Sequence, residues 1–217
     1  MRVGLGQRDI FALAWPMTLK AVFLHGTVVI DGLLVSPLGE AALAAMGLAA
    51  ALGGIVMGAI FAFSHAMQIR TAQAFGAQDS VFLKSVLASG IIINIVIGLA
   101  GVGLIFLVGG QLAERLAPTA EIAAHARTYL AVFSIVILAE AIGQCIASFF
   151  NGCGQTKLPL YGYLLSLPIN VICSLALIHG LWSFPEMGVT GAAMGSAIAI
   201  TIQTLLWVAL LLSLIHI

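Results

Sequence analysis

Four long stretches of this chain contain no Asp, Glu, Lys or Arg, and they constrain its fold more than any other feature. They span residues 41–69, 85–113, 158–185 and 187–217. Each exceeds the roughly 20 apolar residues that a helix needs to cross a bilayer core. Two further apolar stretches, about 11–35 and 128–150, contain isolated charged residues. Because 62% of all residues are hydrophobic and only 7% are charged, the sequence predicts an integral membrane protein.

The spans are predicted to be helices rather than barrel strands. Transmembrane strands are about 10 residues long and alternate apolar with polar residues, and these stretches do neither. We therefore predict an all-α membrane protein with a single domain over residues 1–217. Its six transmembrane helices are expected at residues 11–35, 41–69, 85–113, 128–150, 158–180 and 189–214. Because the connections are short, we expect successive helices to be antiparallel neighbours in a compact bundle. Small residues such as Gly47, Gly191 and Gly195 favour close helix packing.

The positions of the basic residues predict the orientation. Five basic residues lie at the N-terminus and in the second-to-third and fourth-to-fifth connections: Arg2, Arg8, Arg70, Lys84 and Lys157. Two, Arg115 and Arg127, lie on the opposite side. By the positive-inside rule, both termini are expected in the cytoplasm and the chain in the plasma (inner) membrane.

Two of the predicted helices carry charge that could be paired. Lys20 lies ten residues into the first helix, and Glu140 lies ten residues from the cytoplasmic end of the fourth. At about 1.5 Å per residue, both are roughly 15 Å deep. We predict that they form a buried ion pair. The alternative is that Lys20 extends to the headgroups while Glu140 faces a wet cavity.

Asp31 is the strongest candidate for a functional residue. A carboxylate within a membrane span costs roughly 2.5–3.5 kcal/mol on insertion scales and usually lines a cavity, pairs or carries an ion. Asp31 shares a helix face with Lys20 but lies eleven residues further on, so its neighbours must come from other helices. Asn170 and Ser174, four residues apart on the fifth helix, and Ser196 on the sixth are the candidates. Such oxygens suit Na⁺, whereas a carboxylate in a semi-dry cavity suits a proton.

Other isolated polar residues lie within the predicted helices. They are His25, His65, Asn94 and Gln144. Each could line a transport path, but a helix–helix hydrogen bond is the preferred interpretation for each.

Several motifs, taken together and in order, resemble a known family. After Asp31 come PLGEAALAAMGLA, then AQAFGAQD at 72–79, NGCGQTKLP at 151–159 and PEMGVTGAAMGSAIA at 185–199. This set resembles the amino-terminal half of a multidrug and toxic compound extrusion (MATE) transporter. The resemblance implies a polyspecific exporter of organic, often cationic, compounds that is driven by inward Na⁺ or H⁺ flow through alternating access.

The resemblance also implies a set of ion-site residues. Asp31 stands where the family has the acidic residue of an amino-terminal-lobe cation site, and Asn170 matches a frequent asparagine. Ser174 stands where many members have Asp or Asn, Ser196 where a threonine often stands, and the carbonyl near Ala192 can complete the shell. One carboxylate instead of two leaves Na⁺ and H⁺ both open. No cofactor is predicted, and no metal other than Na⁺ at Asp31.

Length is a second departure from the family. Its members usually have twelve helices in two lobes with the substrate cavity between them, whereas this chain has six predicted helices. The expected partners are therefore the bilayer, small organic substrates and a second six-helix lobe, which is either a missing carboxyl-terminal half or another copy. A fragment of a longer product is the preferred interpretation.

The same residues bear on other function classes. A lipid-linked oligosaccharide flippase of the same superfamily would need several basic residues for phosphates, and Lys20 alone is too few. A non-transporting membrane scaffold or partner protein is a further alternative. An enzyme is not expected, because the sequence has no HExxH or GxSxG motif. Nucleic acid is not an expected partner, because eight basic and eight acidic residues leave no net charge.

Overall fold

Six long helical spans joined by short connections make up the protein. The computed structural model describes residues 6–215, so Arg2, which entered the orientation prediction, lies outside the described residues. The helices are α1 Gln7–Val35, α2 Glu40–Gly76, α3 Ser80–Leu104, α4 Gly110–Leu116, α5 Ala120–Gly152, α6 Lys157–His179 and α7 Val189–Ile215. A π-helical turn, Ile105–Gly109, joins α3 to α4 into one span. All six spans are long and apolar enough to cross a membrane, which confirms the predicted all-α class.

Several helices extend beyond the predicted bounds. α2 continues past Arg70 to Gly76, and α5 begins at Ala120, before Arg127. A charged side chain near the end of a span can reach the headgroups, so it ends the apolar run without ending the helix. Polar caps mark two of the true starts. Asp79 Oδ1 accepts a hydrogen bond from Phe82 N at 2.9 Å, and Thr119 Oγ1 accepts one from Ile122 N at 3.3 Å.

The third span is not the uninterrupted α-helix expected over 85–113. Its hydrogen-bond register widens to a π-helical turn at Ile105–Gly109. Glycines lie on both sides of this turn, at Gly101, Gly103 and Gly110. Because glycine is a weak helix former, this segment tolerates the change of register that a π turn requires.

Helix α5 is the centre of the bundle. It is the most buried of the six spans and packs against α2, α3 and α7. Helix α1 lies at the edge, where its main neighbour is α6. Within α1 the buried residues are Pro16, Asp31 and Val35, so the only charged side chain that α1 buries is Asp31.

Chain order does not decide which helices are neighbours. The expectation that successive helices pack together is correct for α2 with α3 and for α6 with α7. It is wrong for α1 with α2 and for α5 with α6, which touch little. A short connection brings two helix ends together, whereas the length of the contact depends on which faces carry small residues.

Glycines set the closest helix contacts. A Cβ atom at Gly53 of α2 would lie 2.6 Å from the Phe133 ring of α5. A Cβ atom at Gly191 of α7 would lie 2.6 Å from the carbonyl oxygen of Leu177 on α6. The close approach predicted at Gly191 is therefore confirmed. Gly47, in contrast, faces open space, since no described atom would lie within 4 Å of a Cβ there.

This difference predicts the outcome of two matched substitutions. Gly191→Ala should destabilise the bundle by about 1–3 kcal/mol, because the new methyl group meets the rigid backbone of α6. Thermal unfolding of the purified chain in detergent measures this effect. Gly47→Ala is the control and should leave the melting temperature unchanged or slightly raised, because alanine favours the helix. Equal melting temperatures for the two variants would contradict the packing of α6 on α7.

Candidate functional site

A cavity of about 290 Å³ lies within the bundle, and several buried polar side chains are part of its wall. Side chains of α1, α2, α5, α6 and α7 line it. Most of the wall is apolar, with Met57, Phe61 and Phe133 among its larger side chains. Two carboxylates, Asp31 of α1 and Glu140 of α5, also line it. The cavity therefore combines an apolar wall with two acidic groups.

The first polar group of the wall is the Asp31 cluster, formed by Asp31, Asn170 and Ser196. Ser196 Oγ donates a hydrogen bond to Asp31 Oδ2 at 2.9 Å. Asn170 Nδ2 in turn donates to Ser196 Oγ, also at 2.9 Å. All three side chains are buried. The structure thus brings together three residues of the predicted ion site, from three different helices.

Two oxygens of the Asp31 cluster have further bonding capacity. Asp31 Oδ1 and Asn170 Oδ1 are buried, and neither has a hydrogen-bond partner within residues 6–215. Buried polar atoms are rarely left unpaired in native proteins, so such atoms call for an explanation. A carboxylate oxygen and an amide oxygen in one cavity can bind a hard cation such as Na⁺, or the carboxylate can take up a proton.

The other two predicted ion-site residues lie away from the cavity wall. Ser174 is buried in the contact between α6 and α7, where it packs against Gly195. Its Oγ has no hydrogen-bond partner in the part of the chain that the structure describes. Ala192 is fully buried in the main apolar core. Their part in an ion site stays a prediction.

Lys20 takes a different partner from the one predicted. Its Nζ donates a hydrogen bond to Gln144 Oε1 at 3.3 Å and lies 5.4 Å from the centre of the Tyr163 ring. No ion pair of 4.0 Å or less joins Lys20 to Glu140, both of which are described. Gln144 is one helical turn from Glu140 on the same face of α5. A count of residues along the helices cannot separate neighbours that are only one turn, about 5.4 Å, apart.

A second polar group of the wall is the Glu140 cluster, formed by Glu140, Tyr163, Ser166 and Gln203. Ser166 Oγ donates to Gln203 Oε1 at 2.5 Å. Tyr163 lies beside Glu140 and Gln203, and its hydroxyl accepts a hydrogen bond from Gln144 Nε2 at 2.8 Å.

Sequence reasoning did not single out Tyr163, Ser166 or Gln203. A signal for them exists in the spacing. Ser166 is four residues before Asn170, and Gln203 is seven residues after Ser196. These intervals place each pair on one helix face.

The four residues proposed to line a path separate into different environments. His25 lines the cavity. Asn94 is buried and donates to Ser64 Oγ at 2.7 Å, which joins α3 to α2. Gln144 is buried, accepts a hydrogen bond from Lys20 and donates one to Tyr163. His65 is exposed on the surface of α2. Asn94 and Gln144 therefore form hydrogen bonds between helices, as the alternative to a path-lining role expected.

The fold is similar to that of solved structures. A structure described as MATE in the bent conformation aligns with 94% of this chain and 45% of its own, at a TM-score of 0.86 and 20% identity. A MOP superfamily transporter from Pyrococcus furiosus aligns with 94% of this chain and 44% of its own, at a TM-score of 0.84 and 20% identity. These likenesses establish the fold.

Sequence relatives give the family. Proteins named "Probable multidrug resistance protein NorM" match from Listeria monocytogenes, with 31% identity over 76% of this chain, and from Burkholderia pseudomallei, with 26% identity over 94%. The chain spans 37% and 43% of the lengths of these two relatives. The MatE family model matches residues 16–175, about three quarters of the chain. The chain therefore belongs to the MatE family, the multidrug and toxic compound extrusion transporters, as its motifs predicted.

Proposed function

We propose that this chain is one lobe of a secondary antiporter that exports small organic compounds in exchange for Na⁺ or H⁺. The observation that carries this proposal is the state of Asp31. Its carboxylate is buried within membrane spans, with one oxygen bonded to Ser196 and the other unpartnered among the described residues. Placing a carboxylate at membrane depth costs free energy. Binding of a cation or a proton to the carboxylate would offset that cost.

Ion and substrate would meet in the same cavity. Asp31 lines the wall together with apolar side chains that could pack against an organic compound. If the ion and the compound favour different states of the lobe, the binding of one lowers the affinity for the other. Such coupling amounts to roughly 1–3 kcal/mol, or about 5- to 150-fold in affinity. This mutual exclusion is what an antiporter requires.

The choice between Na⁺ and H⁺ depends on how many oxygens can reach the ion. Asp31 Oδ1 and Asn170 Oδ1 supply two. A Na⁺ ion would need more, from Ser174, the carbonyl at Ala192 or water. A proton needs only Asp31. Both ions therefore stay within the proposal, and the gradient experiment below separates them.

The chain is a multi-pass membrane protein. We propose that it lies in the plasma (inner) membrane with both termini in the cytoplasm. Four described basic residues lie at the end of the spans that we propose to be cytoplasmic. Arg8 is near the N-terminus, Arg70 and Lys84 are near the α2–α3 connection, and Lys157 is near the α5–α6 connection. Arg115 and Arg127 lie at the opposite end of the spans. The majority at one end supports a cytoplasmic position for that end.

A second six-helix lobe is the proposed partner. The relatives are more than twice as long as this chain. In addition, His25 and His65 lie within spans and are exposed on the isolated lobe. Polar side chains at membrane depth usually face protein or a water-filled cavity rather than lipid. We infer that the faces carrying them meet either a second lobe or the aqueous space between two lobes.

The alternative functions have less support from the cavity. A flippase for phosphate-linked lipids would need cationic groups in the wall, whereas this wall contains two carboxylates and Lys20 is bonded to Gln144. A scaffold would not require Asp31 at all. The sequence relatives are named as multidrug resistance proteins, and the Pyrococcus furiosus structure is described as a transporter, which supports transport over a scaffold role.

The first test concerns Asp31. In vesicles that contain the chain and a second lobe, we expect Asp31→Asn to remove the stimulation of dye efflux by an imposed ion gradient, because the amide cannot exchange an ion. Na⁺ and pH gradients are imposed separately to identify the coupling ion. Glu40→Gln is the matched control, since Glu40 is an exposed carboxylate at the start of α2, and it should behave as wild type. Undiminished, gradient-dependent efflux by Asp31→Asn would rule out the proposed role.

A second test concerns the missing lobe. We expect vesicles with the 217-residue chain alone to show no coupled efflux, because a single lobe leaves its cavity without an opposing wall. Supplying the carboxyl-terminal six helices of a NorM relative as a separate chain should restore efflux and co-purify with this one. Full efflux by the isolated chain, measured together with its monomeric state, would contradict the need for a partner lobe.

A further inference from the structure

A groove of about 270 Å³ runs along the outside of the bundle, between α2 and α3. It is separate from the central cavity, because the two share no lining residue. Met67 and Gly90 are buried and form its floor. A Cβ atom at Gly90 would lie 2.9 Å from Met67 Cγ, so α2 and α3 are in contact beneath the groove. The groove is therefore closed below and open to the surroundings of the bundle.

The groove is polar at one end and apolar at the other. Arg70 and Ser85 line it near the α2–α3 connection, whereas Phe63 and Ile93 line its far end. Phe63 is seven residues before Arg70, which is roughly 10 Å along the helix axis. Phe63 is 51% exposed and Ile93 is 44% exposed. A cation at the mouth and an apolar channel beyond it match the order of groups in a phospholipid, from headgroup to acyl chain.

The guanidinium of Arg70 is held at the mouth of the groove but is not neutralised there. Arg70 Cζ lies 5.1 Å from the centre of the Phe82 ring, a distance at which the ring face attracts a cation. Arg70 Nη1 donates to Gln73 Oε1 at 3.2 Å. No ion pair of 4.0 Å or less joins Arg70 to a carboxylate among residues 6–215. Because a guanidinium has five N–H donors, it can still bind two phosphate oxygens side by side.

Other groups at this end of the groove also suit a phosphate. Ser85 and Ser89 are exposed, line the groove and lie four residues apart, on one face of α3. Their hydroxyls can donate to phosphate or glycerol oxygens. Lys84, beside Ser85 in the chain, is a second exposed basic residue at this end. The orientation proposed above places this end in the cytoplasmic leaflet, which carries anionic lipids.

The groove faces away from the proposed second lobe. That lobe is expected to meet the face of α2 that carries His65. At roughly 100° per residue, Phe63 and Arg70 are each about 140–160° away from His65 around the helix axis. Lipid, and not the second lobe, is therefore the expected neighbour of this groove.

We propose that the groove between α2 and α3 binds one anionic phospholipid, with its phosphate at Arg70 and Ser85 and one acyl chain running towards Phe63 and Ile93. This site lies beyond the ion and substrate sites proposed for the central cavity, and its occupation does not depend on them. Asp31→Asn should therefore bind the lipid as wild type does.

Lipid titration with matched variants tests the site. The full chain in detergent is titrated with phosphatidylglycerol or with phosphatidylcholine of the same acyl chains, and native mass spectrometry counts the bound lipids. Wild type should bind one phosphatidylglycerol in preference to phosphatidylcholine. Arg70→Gln should lower that preference about fivefold, since one basic residue near the headgroups is lost. Ala66→Trp should remove the bound lipid although the charge is unchanged, because Ala66 lines the groove and the indole fills it.

Arg8→Gln is the control for charge alone. Arg8 is an exposed arginine at the same end of the spans and does not line the groove. Its substitution should leave the preference for phosphatidylglycerol unchanged. Equal losses of preference in Arg8→Gln and Arg70→Gln would indicate a diffuse attraction to the basic end of the bundle and would overturn the site.

Crosslinking to the wild-type chain covers the case in which the variants do not fold. Phosphatidylglycerol with a diazirine in the middle of one acyl chain should label the peptides that contain Phe63 and Ile93, as mapped by mass spectrometry. Labelling spread evenly over the six spans would contradict the site. Excess glycerol 1-phosphate, which has the phosphate without the chains, should not reduce the labelling, and a loss in its presence would indicate a site for free phosphate instead.

A last arm of the crosslinking experiment adds the carboxyl-terminal six helices of a NorM relative. Labelling of the groove should persist, and its loss would mean that protein rather than lipid covers α2 and α3. Each of these failures would leave the antiporter proposal intact, because that proposal is tested by ion-coupled efflux and Asp31→Asn. Loss of coupled efflux, in turn, would leave the lipid site intact.

Discussion

A bilayer offers no hydrogen-bond partners, so each polar side chain at membrane depth must find one inside the protein. This constraint accounts for most of the polar contacts in the bundle. Asn94 bonds to Ser64 between α3 and α2, and Gln144 joins Lys20 to Tyr163. Of these bonds, the one from Lys20 to Gln144 connects helices that are distant in the chain, α1 and α5. In the cavity, two carboxylate oxygens, Asp31 Oδ1 and Glu140 Oε2, have no such partner in the described chain.

The shape of the cavity follows from the close contacts around it. Gly191 and Gly195 bring α7 against α6, which places Ser196 beside Asn170. Gly53 and Gly143 bring α2 and α7 against the central α5. Helix α1 has few buried side chains and is held at the edge. The helix that carries Asp31 is therefore also the one with the least packing to restrain it.

Two carboxylates share the wall of one cavity. The motifs directed attention to Asp31 as the single acidic group of an ion site. The structure adds Glu140 to the same cavity wall, about two helical turns away by the spacing of the clusters. Because this space is shielded from water, a charge on either carboxylate acts on the other more strongly than it would in water.

The sequence by itself determined the class, the six spans and the family. Charge-free apolar runs of such length can only be spanning helices, because lipid leaves the backbone no other way to satisfy its hydrogen bonds. It also identified Asp31, Asn170 and Ser196, since a costly charge needs polar neighbours. Only the tertiary structure decided that Lys20 bonds to Gln144, that Glu140 lines the cavity, and that Ser166 and Gln203 belong to the wall. Those outcomes depend on helix rotation and on the order in which helices pack. Both are set by contacts between residues far apart in the chain, which apolar periodicity does not encode.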